Sequence, residues 1–264
     1  MERGLDAYKL KLIAIPFMIL DHFNSILSYA AHDNLNWPLL PSWISLITRF
    51  VWPLFIYLMI DGFYHTRSRI KYLIRLVIAA LIMFAGTTII YQFFDKTYFT
   101  KYSYITFLVD YNIFTLLALM FAFIWCLDNI KRKNHIIINV LLAIVIAFAS
   151  LLAGGLIVFL PMPIIMWAFY GRKNKQCIGI FIYSLLLFIM ALKTHFTIDA
   201  EMGVSLYDRL CMDSEWAIFT VIPFILAYNG ERGKNTKFTK YLFYVFFPLH
   251  IWILIIASFI IEKL

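Results

Sequence analysis

The chain has 264 residues, of which 63% are hydrophobic and only 14% charged, with a formal net charge of +8 and a mean hydropathy of +0.82. A soluble domain carries about 25% charged residues, so this composition excludes one and points to an all-α, polytopic membrane helix bundle. No linker, low-complexity tract or internal repeat divides it, and residues 1–264 read as a single transmembrane domain.

In chain order, nine apolar spans can be read, each near the roughly 20 residues that cross a bilayer: 9–31, 42–64, 71–94, 105–127, 135–152, 153–170, 177–196, 214–230 and 240–261. Only Gly154 and Gly155 divide the stretch 135–170, which reads either as two spans or as one span plus a buried hairpin. The first span ends on Tyr29, Ala30 and Ala31, a cleavage-like signature, but Asp21 and His22 inside it argue against a signal peptide.

Basic residues alternate between the connections. One set of ends holds Arg3, Lys9 and Lys11; Arg67, Arg69, Lys71 and Arg75; Lys131, Arg132 and Lys133; Arg172, Lys173 and Lys175; and Arg232, Lys234, Lys237 and Lys240. The other set has Lys96, Lys101, Lys193, Arg209 and Lys263. By the positive-inside rule this places the N-terminus in the cytoplasm and the C-terminus outside. The positive charge is therefore topological, and nucleic acid is not an expected partner.

The chemistry concentrates where polar residues enter apolar spans. Asp21 and His22 lie in the outer half of span one, Arg49 about two turns into span two, and Asp110, Tyr111 and Asn112 in the outer half of span four. Glu215 opens span eight, and His250 lies near the middle of span nine. Ionisable groups at such depth are expensive and usually functional. Arg49 comes to a depth similar to Asp21, so an Asp21–Arg49 ion pair is expected, with helix registration as its bland alternative. A lone membrane histidine such as His250 also serves simply by bonding a backbone carbonyl. At the inner edge, Asp61 and His65 share a helix face, followed by Thr66, Arg67, Arg69 and Arg75. Cys126, Cys177 and Cys211 form no pair motif. HExxH, GxSxG and phosphate-loop signatures do not occur, and no metal site is expected.

Several strings occur in a recognisable order: Lys9 to Ile15; Met18 to His22; Arg49 to Phe55; Asp61 to Arg69; Lys71 to Leu76; Asn112 to Leu116; Tyr228 to Gly233; and Tyr244 to His250. Together they resemble the TraX family of membrane proteins, most strongly over residues 9–76 and 228–250. Where that family usually has glycine before the second-span arginine, Thr48 stands here. Asp61 occupies a position where the family often has Glu, and the family's central Asp-Tyr-Gly string is not evident.

TraX-like proteins are linked to N-terminal acetylation of conjugative pilin and resemble the wider transmembrane acyltransferases, which use cytoplasmic acetyl-CoA. The resemblance implies a multi-pass protein of the bacterial inner membrane, with His22 central to catalysis and Asp21, Arg49 and His250 around it. Acetyl transfer needs a base to take a proton from an amine or hydroxyl, and histidine titrates where it can do so. Arg49 or His250 is suited to an oxyanion. Successive helix residues point about 100° apart, so Asp21 pairs with either His22 or Arg49. Arg67, Arg69 and Arg75, helped by His65 or Thr66, are expected to hold the phosphates of acetyl-CoA. An extended pantetheine arm would then cover on the order of 15–20 Å of a roughly 30 Å core.

The expected acceptor is a peptide, pilin-like or glycan group, with membrane lipid around the protein. Asp199, Glu201, Asp208, Asp213 and Glu215 against Arg209 suggest an acidic mouth that draws a cationic acceptor; an ordinary solvated loop is the other reading. Two further functional classes stay open. One is a proton-coupled transporter using Asp21, His22, Asp110 and His250, and the other a non-enzymatic assembly factor for a pilus or secreted peptide.

Overall fold

The structure, a computed structural model, describes residues 4–94, 112–152, 160–199, 202–234 and 236–263. Its elements are helices: α1 Ala7–His22, α2 Ser28–Leu35, α3 Ile44–Thr48, α4 Val51–His65, α5 Arg69–Phe94, α6 Ile113–Lys131, α7 Ile136–Leu152, α8 Pro161–Ala168, α9 Lys173–Thr194, α10 Leu206–Met212, α11 Ile222–Ala227 and α12 Lys237–Ile261. A π-helical turn, Phe23–Leu27, joins α1 to α2, another, His195–Asp199, ends α9, and a 3-10 helix, Ser214–Val221, precedes α11. Helices dominate because each satisfies its own backbone donors and acceptors, the condition for crossing hydrocarbon. Among the described residues the one strand-like feature is a bridge between Leu5 and Tyr228.

The long helices are apolar all round, and their two sides differ in bulk rather than polarity. On α5, Ile70, Ile74, Val77, Ile78, Leu81 and Ile82 are exposed, while Leu76, Ala79, Ala80, Met83 and Thr87 are buried. On α9, Ile178, Phe181, Ile182, Leu185 and Ile189 are exposed, while Ile180, Tyr183, Ser184, Leu187 and Ala191 are buried. Both patterns follow the 3.6-residue repeat, and the small or polar residues of these stretches, Ala79, Ala80, Thr87, Ser184 and Ala191, lie on the inward side. Small inward residues let backbones approach where lipid offers no hydrophobic driving force.

Six helices are long and apolar enough to span a membrane: Ala7–Leu27, Ile44–His65, Arg69–Phe94, Ile113–Lys131, Lys173–Asp199 and Tyr241–Ile261. A seventh span arises if Leu206–Met212 and Ser214–Ala227, bent by 60° from one another, act as one. The expectation of about nine thus exceeds what the described residues contain. The expected span 135–152 is described as the helix Ile136–Leu152, directly followed by residues outside the description. Of the span expected at 153–170, residues 160–170 are described and contain α8; 153–159 lie outside the described residues, as do residues 95–111 with Asp110 and Tyr111.

The chain forms two compact units, Met1–Phe55 with Phe169–Phe243 and Ile253–Leu264, and Ile56–Ala168 with Tyr244–Trp252. In the first, α1 packs on α3, and α9 on the 3-10 helix, α10 and α11. Asp6 caps α1 by accepting from the Lys9 amide at 2.8 Å. The stretch after α11 pairs with the chain before α1: the Leu5 amide donates to the Ala227 carbonyl at 2.7 Å, the Asn229 amide to Leu5 at 3.0 Å, and the Ala7 amide to Glu231 at 2.8 Å. This explains the Tyr228–Gly233 string. Gly233, at φ +74°, lies so close to the Asp6 carboxylate that a Cβ would collide with it.

In the second unit, α6 packs on α5, α7 and α8. Phe63, Met83, Met120, Phe121 and Ile124 are fully buried there, with the Phe63 and Phe121 rings edge to face at 5.2 Å. Asn112 caps α6 by accepting from the Thr115 amide at 3.3 Å and donates to the Ala80 carbonyl at 3.0 Å, which accounts for that asparagine inside an apolar region. Gly86 leaves space for the Trp252 ring, whose Nε1 donates to Thr87 Oγ1 at 3.3 Å. Because a Cβ at Gly86 would overlap that ring, Gly86→Ala is expected to destabilise the protein by about 1–3 kcal/mol. A fall in the thermal midpoint of detergent-purified protein reads this, and an unchanged midpoint would disprove the contact.

Candidate active site

The nominated residues divide between the two units. Asp21, His22 and Arg49 belong to the first; His65, Thr66, Arg67, Arg69, Arg75 and His250 belong to the second.

In the first unit the site begins at the end of α1. His22 is its last α-helical residue, and the next five form the π-turn. Such turns insert an extra residue and recur at functional sites. The Asp21 Oδ1 accepts from Thr48 Oγ1 at 2.6 Å. Thr48 ends α3 and is 2% exposed. Arg49 and Phe50 then form the turn into α4. Pro53 explains the break, since it has no amide to donate to the Arg49 carbonyl. Phe50 anchors the turn, edge-on to Phe17 at 5.0 Å and stacked on Phe224 at 4.3 Å.

The expected Asp21–Arg49 pair does not form. Arg49 Nη1 donates instead to Glu215 Oε1 at 2.9 Å, and Nη2 donates to the Ser214 hydroxyl. Among the described residues, Arg49 Nε and Glu215 Oε2 are buried without a hydrogen-bond partner. Asp21 stays close enough to Glu215 for their charges to interact. The cluster is therefore Asp21, Thr48, Arg49, Ser214 and Glu215. Sequence reading noted Glu215 as a membrane-depth acid but missed it and Ser214 as site residues. The signal was a carboxylate at the start of an apolar stretch, and nothing in the spacing named its partner.

The acidic connection is also corrected. Asp199, 1% exposed, accepts two bonds from Arg209, at 2.5 Å from Nε and 2.6 Å from Nη2. Arg209 Nη1 also reaches Asp213 at 3.3 Å, and Asp208 accepts from Ser205 Oγ at 2.6 Å. With Glu215 on Arg49, most of these acids serve internal bonds rather than an open acidic mouth; Glu201 lies outside the described residues.

In the second unit, His65 Nδ1 donates to the Asp61 carbonyl at 2.8 Å and lies 3.5 Å from its carboxylate, while Thr66 donates to the Ser68 carbonyl at 3.3 Å. Arg69 donates to Asp128 at 2.7 Å and covers the Phe63 ring at 3.9 Å. Arg132 joins the same carboxylate at 3.0 Å. Arg75 lies over Tyr72 at 5.4 Å, and Arg67 is exposed. His250, 8% exposed, donates from Nδ1 to the Phe246 carbonyl at 2.9 Å and stacks on the Phe246 ring at 4.7 Å. That is the packing of a core histidine. Among the described residues no group of His, Cys, Asp or Glu has a metal-holding arrangement.

Comparison with known proteins bears on this geometry. The family model described as TraX protein matches residues 7–258. A probable fimbrial assembly protein FimC, serogroup H1, from Dichelobacter nodosus is 24% identical over 269 residues, covering 99% of this chain and 100% of that protein. No solved structure is significantly similar to the chain.

Proposed function

The chain belongs to the TraX family, and from that premise we propose that it is a membrane-embedded acyltransferase, moving an acetyl group from acetyl-CoA to an amine or hydroxyl acceptor. The observation that carries the reading is Arg49 Nε, a buried donor that meets no acceptor among the described residues although both terminal nitrogens of the same guanidinium are bonded. A developing oxyanion is an acceptor suited to such a donor.

In this reading His22 takes the proton as the acceptor's nitrogen or oxygen attacks the acetyl carbonyl. Arg49 Nε–H donates to the carbonyl oxygen as it gains charge. The C–S bond then breaks, and the leaving thiolate of coenzyme A recovers the proton from His22. Carrying the acetyl group on His22 is a variant of the same scheme. Asp21 and its Thr48 bond support the end of α1 on which His22 sits. His65, Thr66, Arg67 and Arg75 are the proposed phosphate contacts, Arg69 being engaged by Asp128. The N-terminus is cytoplasmic, the protein resides in the bacterial inner membrane, and the acceptor is a peptide, pilin-like or glycan group.

A second reading, a non-enzymatic pilus-assembly factor, is favoured by the name of the Dichelobacter relative. One experiment separates the two. Purified protein is incubated with radiolabelled acetyl-CoA and a synthetic peptide bearing a free α-amine. Labelled peptide above the no-enzyme control is expected for the acyltransferase. Binding of the peptide without labelled product, or of neither, favours the assembly factor.

A further inference from the structure

Arg49 is held at one end only. Both terminal nitrogens are occupied, Nη1 by Glu215 and Nη2 by Ser214, while Nε is buried and unpaired. A guanidinium is planar, with donors in a fixed fork, so fixing the two terminal nitrogens also fixes the direction of Nε–H.

The segment bearing Ser214 and Glu215 is itself tied down. Arg209 chelates Asp199, Ser45 Oγ donates to the Cys211 carbonyl at 2.8 Å, Trp216 Nε1 donates to the Leu210 carbonyl at 2.9 Å, and Ser184 donates to the Trp216 carbonyl. Ser45 belongs to α3, which ends one residue before Arg49, so the ties hold the acid and the arginine to the same frame. Among the described residues no acceptor meets Nε–H, and Glu215 Oε2 is likewise buried without a partner. A buried donor left unpaired is costly, and an oxygen of a bound ligand is the kind of acceptor that would satisfy it.

We propose that Glu215, with Ser214, is a positioning residue that aims Arg49 Nε–H at an oxygen of the bound substrate. The proposal rests on the acyl-transfer reading, in which that oxygen belongs to the acetyl carbonyl.

The test uses the full chain in detergent micelles with 15N-labelled arginine. Restricted rotation about Cζ–Nη gives Arg49 resolved Nη signals in the parent protein, and acetyl-CoA shifts its Nε–H resonance. In Glu215→Ala the Nη signals merge, and kcat for transfer to the α-amine peptide falls about 100-fold, as for loss of one oriented donor, with KM for acetyl-CoA within about twofold. Glu215→Gln, which keeps an oxygen acceptor, restores most of kcat and the resolved signals. Unchanged Arg49 signals in Glu215→Ala, or equal losses in both variants, overturn the proposal. Where Glu215→Ala does not fold, Ser214→Ala and Glu215→Gln carry the same spectroscopic test. Absence of transfer by the parent protein defeats the acyl-transfer reading, while the Arg49 signals still decide the positioning.

Discussion

Replacing His22 by alanine is expected to lower acetyl transfer by about 10²–10⁴-fold, the span assigned to a positioned general acid or base. The fold is expected to survive. His22 is half-buried at the end of α1, and the neighbouring Asp21–Thr48 and Arg49–Glu215 bonds do not involve it. Alanine also preserves helix propensity at the entry to the π-turn. The measurement pairs the turnover rate with the thermal midpoint and with acetyl-CoA affinity by calorimetry. Loss of turnover with midpoint and affinity retained assigns the chemistry to His22. Full turnover in the variant removes the histidine from the mechanism, and a joint collapse of all three makes it structural.

Replacing Asp128 by alanine is expected to cost stability instead. Its side chain is 5% exposed and accepts from Arg69 at 2.7 Å and Arg132 at 3.0 Å. Removing the acid leaves the Arg69 guanidinium, 22% exposed and lying on Phe63, without its counter-charge. Breaking a buried pair from one side costs about 3–5 kcal/mol. Arg132 adds little, because its side chain is 60% exposed and exposed pairs contribute about 0–1 kcal/mol. Unfolding in mixed detergent micelles reads the difference. The double variant Asp128→Leu with Arg69→Leu is expected to recover most of it, since apolar replacement of a buried pair is often neutral. A single variant as stable as the parent would falsify the assignment of Arg69 as a structural cation. The same logic divides the basic layer. Exposed Arg67, when changed to alanine, should weaken acetyl-CoA binding without moving the thermal midpoint, whereas Arg69→Ala should move the midpoint.

Individual residues show how far sequence reading reached. The Asp61–His65 neighbourhood was legible because it is local, set by residues four apart; the Asp6 and Asn112 caps are equally local but were not read from the sequence. Such relations follow from backbone geometry and are open to inspection of a string. The ion pair of Arg49 is not of this kind. Its partner lies 166 residues along the chain, and depth alone made Asp21 an equally good candidate. Depth is a one-dimensional coordinate. Which acid an arginine meets depends also on how each helix is rotated about its axis, and helices that are apolar all round carry little periodicity from which to read that rotation.

Hydropathy and the described helices divide the chain differently for a related reason. Hydropathy sums a transfer property over a window and does not see a chain bending. It treats 214–230 as a crossing by itself, where Ser214–Ala227 follows Leu206–Met212 at a 60° bend and the two count together as one broken span or a re-entrant loop. What the sequence by itself determined is the class of molecule and most of its long helices, because these depend on composition and on neighbours within a turn. The tertiary structure decided that Asp21 bonds Thr48, that Arg49 is gripped by Ser214 and Glu215, and that Arg69 is engaged by Asp128. Each of these choices is made between helices, where the balance of desolvation against a charge partner depends on packing in three dimensions.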